Sequence, residues 1–328
     1  MASRKNLIGV LLIIFLLIQP GMADAGGDEG KLRVVTTITI LEDIVKEVGG
    51  DRVEVTSIVK GLENPHTYAP SPSDVLALSR ADMLVKMGVT GLEPWVNSLL
   101  VSAENEGLLV VNATKGIRMR YDDTIGCENP HVWMDPENMK RMVETIKGGL
   151  IAADPANRAY YEVNAERYLE ELDELEAEIV SKTAAYRGTK VVEVHPAFMY
   201  LLDRIGFERV GTIERREGGG VSAQHVALIE DTIKKEDVKL IIDMPQLSSP
   251  IVDQIAADTG VAVVELTPLL GPFGTDSYIE MIRYDIDMIV GTLEENDGSG
   301  EETPKQPGSG IIAVLIGIFI AWYLVGRR

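Results

Sequence analysis

The longest uninterrupted helical pattern in the chain runs from Pro155 to Tyr186. Apolar side chains recur at Tyr161, Ala165, Tyr168, Leu172, Leu175 and Ile179, the spacing of one face of a 3.6-residue repeat. Glu166, Glu170, Glu171, Asp173, Glu174 and Glu176 fill the opposite face. Asp154 offers an N-cap, Pro155 suits the first helical position, and Gly188 supplies a left-handed stop. The pattern predicts a linking helix over residues 154–187, roughly 45–50 Å long. Such a helix between two similar halves reads as a strut. One arm of a helical hairpin or coiled coil is the alternative, and it lacks a second helical pattern of matching length.

On either side the pattern alternates between strand and helix. Before the strut, strands are predicted at residues 33–38, 53–59, 83–87 and 108–112, with helices at 41–48 and 73–80. After it, strands are predicted at 190–194, 209–212, 239–243 and 261–266, with helices at 196–205, 223–235 and 250–259. Alternation of this kind makes an α/β fold with mostly parallel sheets. The expectation is two Rossmann-like lobes, residues 31–153 and 188–293, each with a four-stranded sheet. Ligands of such sheets bind beyond the carboxyl ends of the strands, where two lobes would form a cleft.

The ends differ from the body. Arg4 and Lys5 precede an apolar run that closes on Ala23-Asp24-Ala25, so residues 1–25 read as a signal peptide. Residues 294–310 read as a polar tether. Residues 311–326 are an apolar run followed by Arg327 and Arg328, either a transmembrane helix or a sorting segment that is clipped and replaced by a lipid. Both arrangements hold the body at the outer face of the cell membrane. The formal net charge of −20 argues against nucleic-acid binding. A single cysteine leaves no internal disulfide.

There are only four histidines, and three fall where the cleft is expected: His66 after the second strand, His131 within Asn129–Pro136, and His195 at the end of the first strand after the strut. Each adjoins a proline, which stiffens its loop. Three imidazoles in stiff loops suit Zn²⁺, with one tetrahedral position left open. His225, in the first turn of a helix, reads as a surface residue. Cys127 reads as a partly buried, inert thiol, and Glu63 and Glu128 read either as partners that orient His66 and His131 or as solvated charges.

Asn64-Pro65-His66-Thr67-Tyr68, Gly91-Leu92-Glu93-Pro94-Trp95, Asn129-Pro130-His131-Val132-Trp133-Met134-Asp135-Pro136 and His195-Pro196-Ala197-Phe198 together resemble the zinc/manganese-binding solute-binding proteins of ABC transporters. The resemblance spans roughly residues 31–293. It implies metal held between two lobes by His66, His131 and His195, and delivery to a permease with its ATPase. Where that family often has a fourth ligand, an Asp in a Leu-Asp-Pro-Leu stretch, this chain reads Leu266-Thr267-Pro268-Leu269. In extended backbone Glu265 would face the same side as Thr267. Glu265 is therefore expected to ligate the metal or to hold a ligand water, unless water alone completes the site.

The sequence thus points to a non-enzymatic, extracytoplasmic protein that binds Zn²⁺ as a transported ligand, with Mn²⁺ as the alternative. A manganese or iron transporter component and a metal-dependent adhesin remain open. A surface zinc hydrolase is the reading from a different class; it lacks a His-Glu-x-x-His helix.

Overall fold

The computed structural model describes residues 30–89, 91–214, 220–247 and 250–298. The predicted signal peptide and residues 311–326 lie outside the described residues, as does most of the predicted tether. Among the described residues, no helix is long and apolar enough to cross a membrane.

The first lobe runs β1 (Leu32–Thr36), α1 (Thr39–Gly49), β2 (Val53–Ser57), α2 (Pro72–Ser79), β3 (Met83–Lys86), α3 (Val96–Ala103) and β4 (Leu109–Asn112). A short antiparallel ribbon follows, β5 (Tyr121–Asp122) with β6 (Cys127–Glu128), and then α4 (Pro136–Ala153). The strut is α5 (Arg158–Thr183). The second lobe runs β7 (Lys190–Glu193), α6 (Met199–Ile205), β8 (Glu208–Thr212), α7 (Ala223–Glu236), β9 (Leu240–Asp243), α8 (Pro250–Thr259) and β10 (Ala262–Glu265), and α9 (Tyr278–Gly298) closes the described chain.

Both sheets are parallel and four-stranded, ordered β2-β1-β3-β4 and β10-β9-β7-β8. Counted from its own first strand, each has the order 2-1-3-4. The chain therefore leaves the first and third strands of each sheet in opposite directions, which opens a crevice at their carboxyl ends. Apolar runs such as Met83-Leu84-Val85 and Leu240-Ile241-Ile242 are fully buried, as expected of strands covered by helices on both faces.

The strut buries the predicted stripe, Tyr161, Ala165, Tyr168, Leu172, Leu175 and Ile179, and adds Thr183. It starts later than the sequence suggests. Asp154 ends α4, and Pro155–Asn157 make one 3₁₀ turn. The Asp154 carboxylate accepts hydrogen bonds from Asn157 Nδ2 at 2.6 Å and from the Tyr161 hydroxyl at 2.7 Å, which fixes the corner. At 26 residues the helix is about 39 Å long. Nor does it stand alone, because α4 and α9 both pack along it. The pattern reading assigned no element to α3, α4 or α9. Residues 294–298, expected to begin the tether, continue α9.

Side-chain bonds also cross-link the lobes, both directly and through the strut. Arg204 of α6 bonds Asp135, the N-cap of α4, through Nε at 2.9 Å and Nη2 at 3.0 Å, and reaches Glu176 of the strut at 2.8 Å. Asp43 of α1 accepts from the Tyr168 hydroxyl of the strut at 2.9 Å and from Tyr278 N at the start of α9 at 3.0 Å.

Candidate metal centre

Three loops bring His66, His131 and His195 together. His66 lies in the loop between β2 and α2, pinned where Trp95 Nε1 donates to the Pro65 carbonyl at 2.8 Å. His131 leads from β6 into a 3₁₀ turn at Val132–Met134. Trp133 in that turn is buried and donates from Nε1 to the Pro268 carbonyl of the other lobe at 2.8 Å. His195 follows β7 by two residues, beside the β7–β9 crevice. His131 is 4% and His195 7% exposed, while His66 is half-buried. One ring nitrogen from each of the three lies within 4.8 Å of the others.

The hydrogen bonds fix which nitrogens face inward. His66 Nδ1 lies 2.9 Å from the Gly91 carbonyl, which can only accept, so Nδ1 carries the proton. Asn129 Nδ2 donates to Asp122 Oδ2 at 2.9 Å and to the Pro196 carbonyl at 2.7 Å. That sets the amide so that Oδ1 accepts, and it takes both the backbone N–H and the Nδ1–H of His131, each at 3.0 Å. In the neutral rings Nε2 then carries the lone pair, and the two Nε2 atoms lie 3.4 Å apart. Two lone pairs at that distance repel unless a cation sits between them. The separation also matches the edge of a tetrahedron around Zn²⁺, about 3.4 Å for Zn–N bonds of about 2.05 Å. Burial holds the His131 imidazole well below its usual pKa, and the neighbouring His195 and His66 push it further, so it is neutral and able to ligate.

Behind His131 lies a buried polar chain. Asp122 accepts from Asn129 and pairs with Arg209 of β8 at 2.6 Å. Burial would raise the Asp122 carboxyl, but bonds from Arg209, Thr124 and Asn129 outweigh it and bring it down to about 2. Glu193, fully buried in β7, shares Arg209 at 3.3 Å, yet burial still pushes its carboxyl up to about 8.

The cavity bounded by the histidines has a volume of about 20 Å³, lined also by Asn64, Pro65, Trp133, Met244, Gln246, Leu247, Pro268 and Leu269. That is room for about one water-sized occupant. Among the described residues, the clustered groups of metal-binding type are the three histidines alone. Glu265, expected to join them, is exposed at the last position of β10 and does not line the cavity. The alternation on which that expectation rested stops there, because Leu266, Thr267, Leu269 and Leu270 are all buried. Thr267 turns inward, its amide donating to Asp285 at 2.9 Å and its hydroxyl to the Leu269 carbonyl at 2.7 Å.

The weaker candidates also fall into place. His225 bonds the Thr212 carbonyl at 2.9 Å, outside the cluster. Cys127 is exposed on β6 rather than partly buried. Glu63 caps its own loop by accepting from Lys60 N at 2.8 Å, and Glu128 is exposed. Asn129, not an acidic residue, orients His131. Its signal lay two residues ahead of the histidine, in the Asn-Pro-His triplet that recurs at His66, where Asn64 Oδ1 accepts from His66 N at 2.9 Å.

The chain is similar to known proteins over most of its length. The chain is 28% identical to the manganese-binding lipoprotein MntA of Halalkalibacterium halodurans, over 89% of this chain and all of that one. It is 30% identical to the manganese ABC transporter substrate-binding lipoprotein PsaA of Streptococcus anginosus, over 88% and 99%. It is 27% identical to the high-affinity zinc uptake system protein ZnuA of Bacillus subtilis, over 83% and 90%. Among solved structures, a ZnuA crystal structure superposes with a TM-score of 0.72 at 27% identity, covering 80% of this chain and 99% of that one. The family model described as "ZnuA: Zinc-uptake complex component A periplasmic" matches residues 34–292. The chain belongs to this family of metal-binding ABC transporter substrate-binding proteins, which are not enzymes.

Proposed function

We propose that this protein captures Zn²⁺ outside the cytoplasm and delivers it to an ABC permease and its ATPase. The observation that carries the reading is the pair of inward Nε2 lone pairs on His66 and His131, 3.4 Å apart and adjoined by His195. Imidazole ligands suit Zn²⁺, whereas Mn²⁺ favours carboxylate-rich sites, and no carboxylate joins this cluster among the described residues. The manganese-binding relatives give the second reading its weight. A cavity for one small occupant also fits capture of an ion better than hydrolysis, which needs water and substrate together.

Titration calorimetry on the full-length chain tests this. One equivalent of Zn²⁺ binds, and it binds at least tenfold more tightly than Mn²⁺. Tighter Mn²⁺ binding would transfer the assignment to manganese, and no binding of either would overturn it. The terminal segments complete the reading: residues 1–25 direct export and residues 311–326 hold the body at the membrane. Deleting residues 311–328 then releases the protein into the medium, and persistent sedimentation with membranes would refute that anchor.

A further inference from the structure

Gln246 lies in a single 3₁₀ turn, Pro245–Leu247, just past the end of β9. β9 and β7 are neighbours, and their chains leave toward opposite edges of the sheet, β7 to β8 and β9 to β10. His195 leaves one side of this crevice and Gln246 the other. Both line the same small cavity, together with His66 and His131.

The orientation of the Gln246 amide follows from Thr267. The Thr267 hydroxyl has one proton, and it goes to the Leu269 carbonyl at 2.7 Å. Toward Gln246, 3.2 Å away, the hydroxyl can therefore only accept. The NH₂ end of Gln246 must face Thr267, which leaves Oε1 at the other end of the amide. Oε1 is buried and has no hydrogen-bond partner among the described residues. A buried carbonyl oxygen left this way is costly unless a donor or a cation meets it. The cavity that Gln246 shares with the three imidazoles has room for one small occupant.

We propose that Gln246 Oε1 is the fourth ligand of the bound cation, completing with His66, His131 and His195 a donor set that carries no charge. This rests on the reading of the cluster as a Zn²⁺ site and adds the group that completes it. Thr267 has a defined task in this arrangement: its lone pair holds the NH₂ end, so the oxygen is presented without rotamer searching. With no anionic ligand, the cation keeps its full double charge in the pocket. That disfavours Mn²⁺, which gains most from carboxylates. It also limits how tightly any divalent ion is held.

The test uses the full-length chain with Zn²⁺, Mn²⁺ or Co²⁺ alone, in competition with a chromophoric chelator. Gln246→Leu should weaken Zn²⁺ binding roughly tenfold or more and shift the visible absorption bands of bound Co²⁺, which report the ligand set directly. Gln246→Glu, nearly the same shape, should tighten Zn²⁺ binding and bring Mn²⁺ binding up by roughly tenfold or more, because it adds the missing charge. Thr267→Val, which leaves Gln246 in place but unanchored, should fall between Gln246→Leu and the parent. A Gln246→Leu protein with parental Zn²⁺ affinity and parental Co²⁺ bands overturns the proposal. If Gln246→Leu does not fold, Gln246→Glu decides alone, and unchanged affinities for both ions overturn it. A parent that binds one Zn²⁺, lost in His66→Ala, while the Gln246 variants change nothing would leave the zinc reading standing and remove only Gln246. A parent that binds no divalent ion removes both.

Discussion

Asp122 and Arg209 meet across the boundary between the lobes, carboxylate to guanidinium at 2.6 Å, with both side chains almost wholly out of water. Asp122 comes from the ribbon that precedes His131, and Arg209 from β8 of the second lobe. The same guanidinium is shared with Glu193, two residues before His195. The ion pair therefore ties the segment carrying one histidine to the strand that leads into another. Removing the cation would leave Asp122 buried without its counter-charge. Arg209→Met should cost about 3–5 kcal/mol of stability, the usual result of breaking one side of a buried pair. Urea denaturation of the metal-free protein measures it, and a loss below 1 kcal/mol would show that water reaches the pair.

Asn129 is the next link, and its effect should appear in binding more than in folding. Its carboxamide orients the His131 ring and fixes the proton on Nδ1. Asn129→Ala should lower Zn²⁺ affinity roughly 10–100-fold, the range for partners that orient metal-bound histidines. Competition titration against a chelator reads this. Parental affinity in Asn129→Ala would mean that packing against Trp133, whose ring centroid lies 5.2 Å from that of His131, suffices to hold the imidazole.

The histidines themselves should separate cleanly. A ligand that binds only the folded state stabilises by RT ln(1 + [L]/Kd), about 4 kcal/mol at a thousandfold excess over Kd. His66→Ala, His131→Ala and His195→Ala should each lose most of the Zn²⁺-induced rise in Tm. His225→Ala should keep it, because that ring bonds the Thr212 carbonyl outside the cluster. Loss of the rise in His225→Ala alone would put the site elsewhere.

Much of this was legible in the chain because it depends on local pattern. The strut stripe from Tyr161 to Ile179 is buried as its spacing requires, and all eight predicted strands form. The three histidines could be grouped because each sits in a loop stiffened by proline, so position in the fold followed from position in the chain. α4 is signalled only by its start, Asp135-Pro136, because the same residues close the motif that carries His131. The Glu265 expectation failed because strand alternation ends where the strand ends, and the following residues bury consecutive side chains. Gln246 could not have been found from sequence. Its orientation depends on where a single hydroxyl proton of Thr267 goes, and that is settled by the Leu269 carbonyl.

Asp43 offers a test of the scaffold independent of metal. It is 6% exposed and joins α1 to the strut and to α9 through Tyr168 and Tyr278. Burial raises its carboxyl to about 6, against the opposing pull of those two hydrogen bonds. In the unfolded chain an aspartate titrates near 3.9. The folded state therefore binds this proton more tightly than the unfolded state does. Stability from this group is fully present below about pH 4 and is lost as pH rises through about 6. Two units correspond to about 3 kcal/mol. Asp43→Asn mimics the protonated form and cannot titrate. In a chelator-treated pair, the stability of Asp43→Asn relative to the parent should therefore improve by up to about 3 kcal/mol between pH 4 and pH 7, with every other titrating group cancelling in the difference. Urea midpoints taken across that range provide the measurement. Parallel curves would mean that Asp43 titrates as it does in water, and that the junction of α1, the strut and α9 is open to solvent.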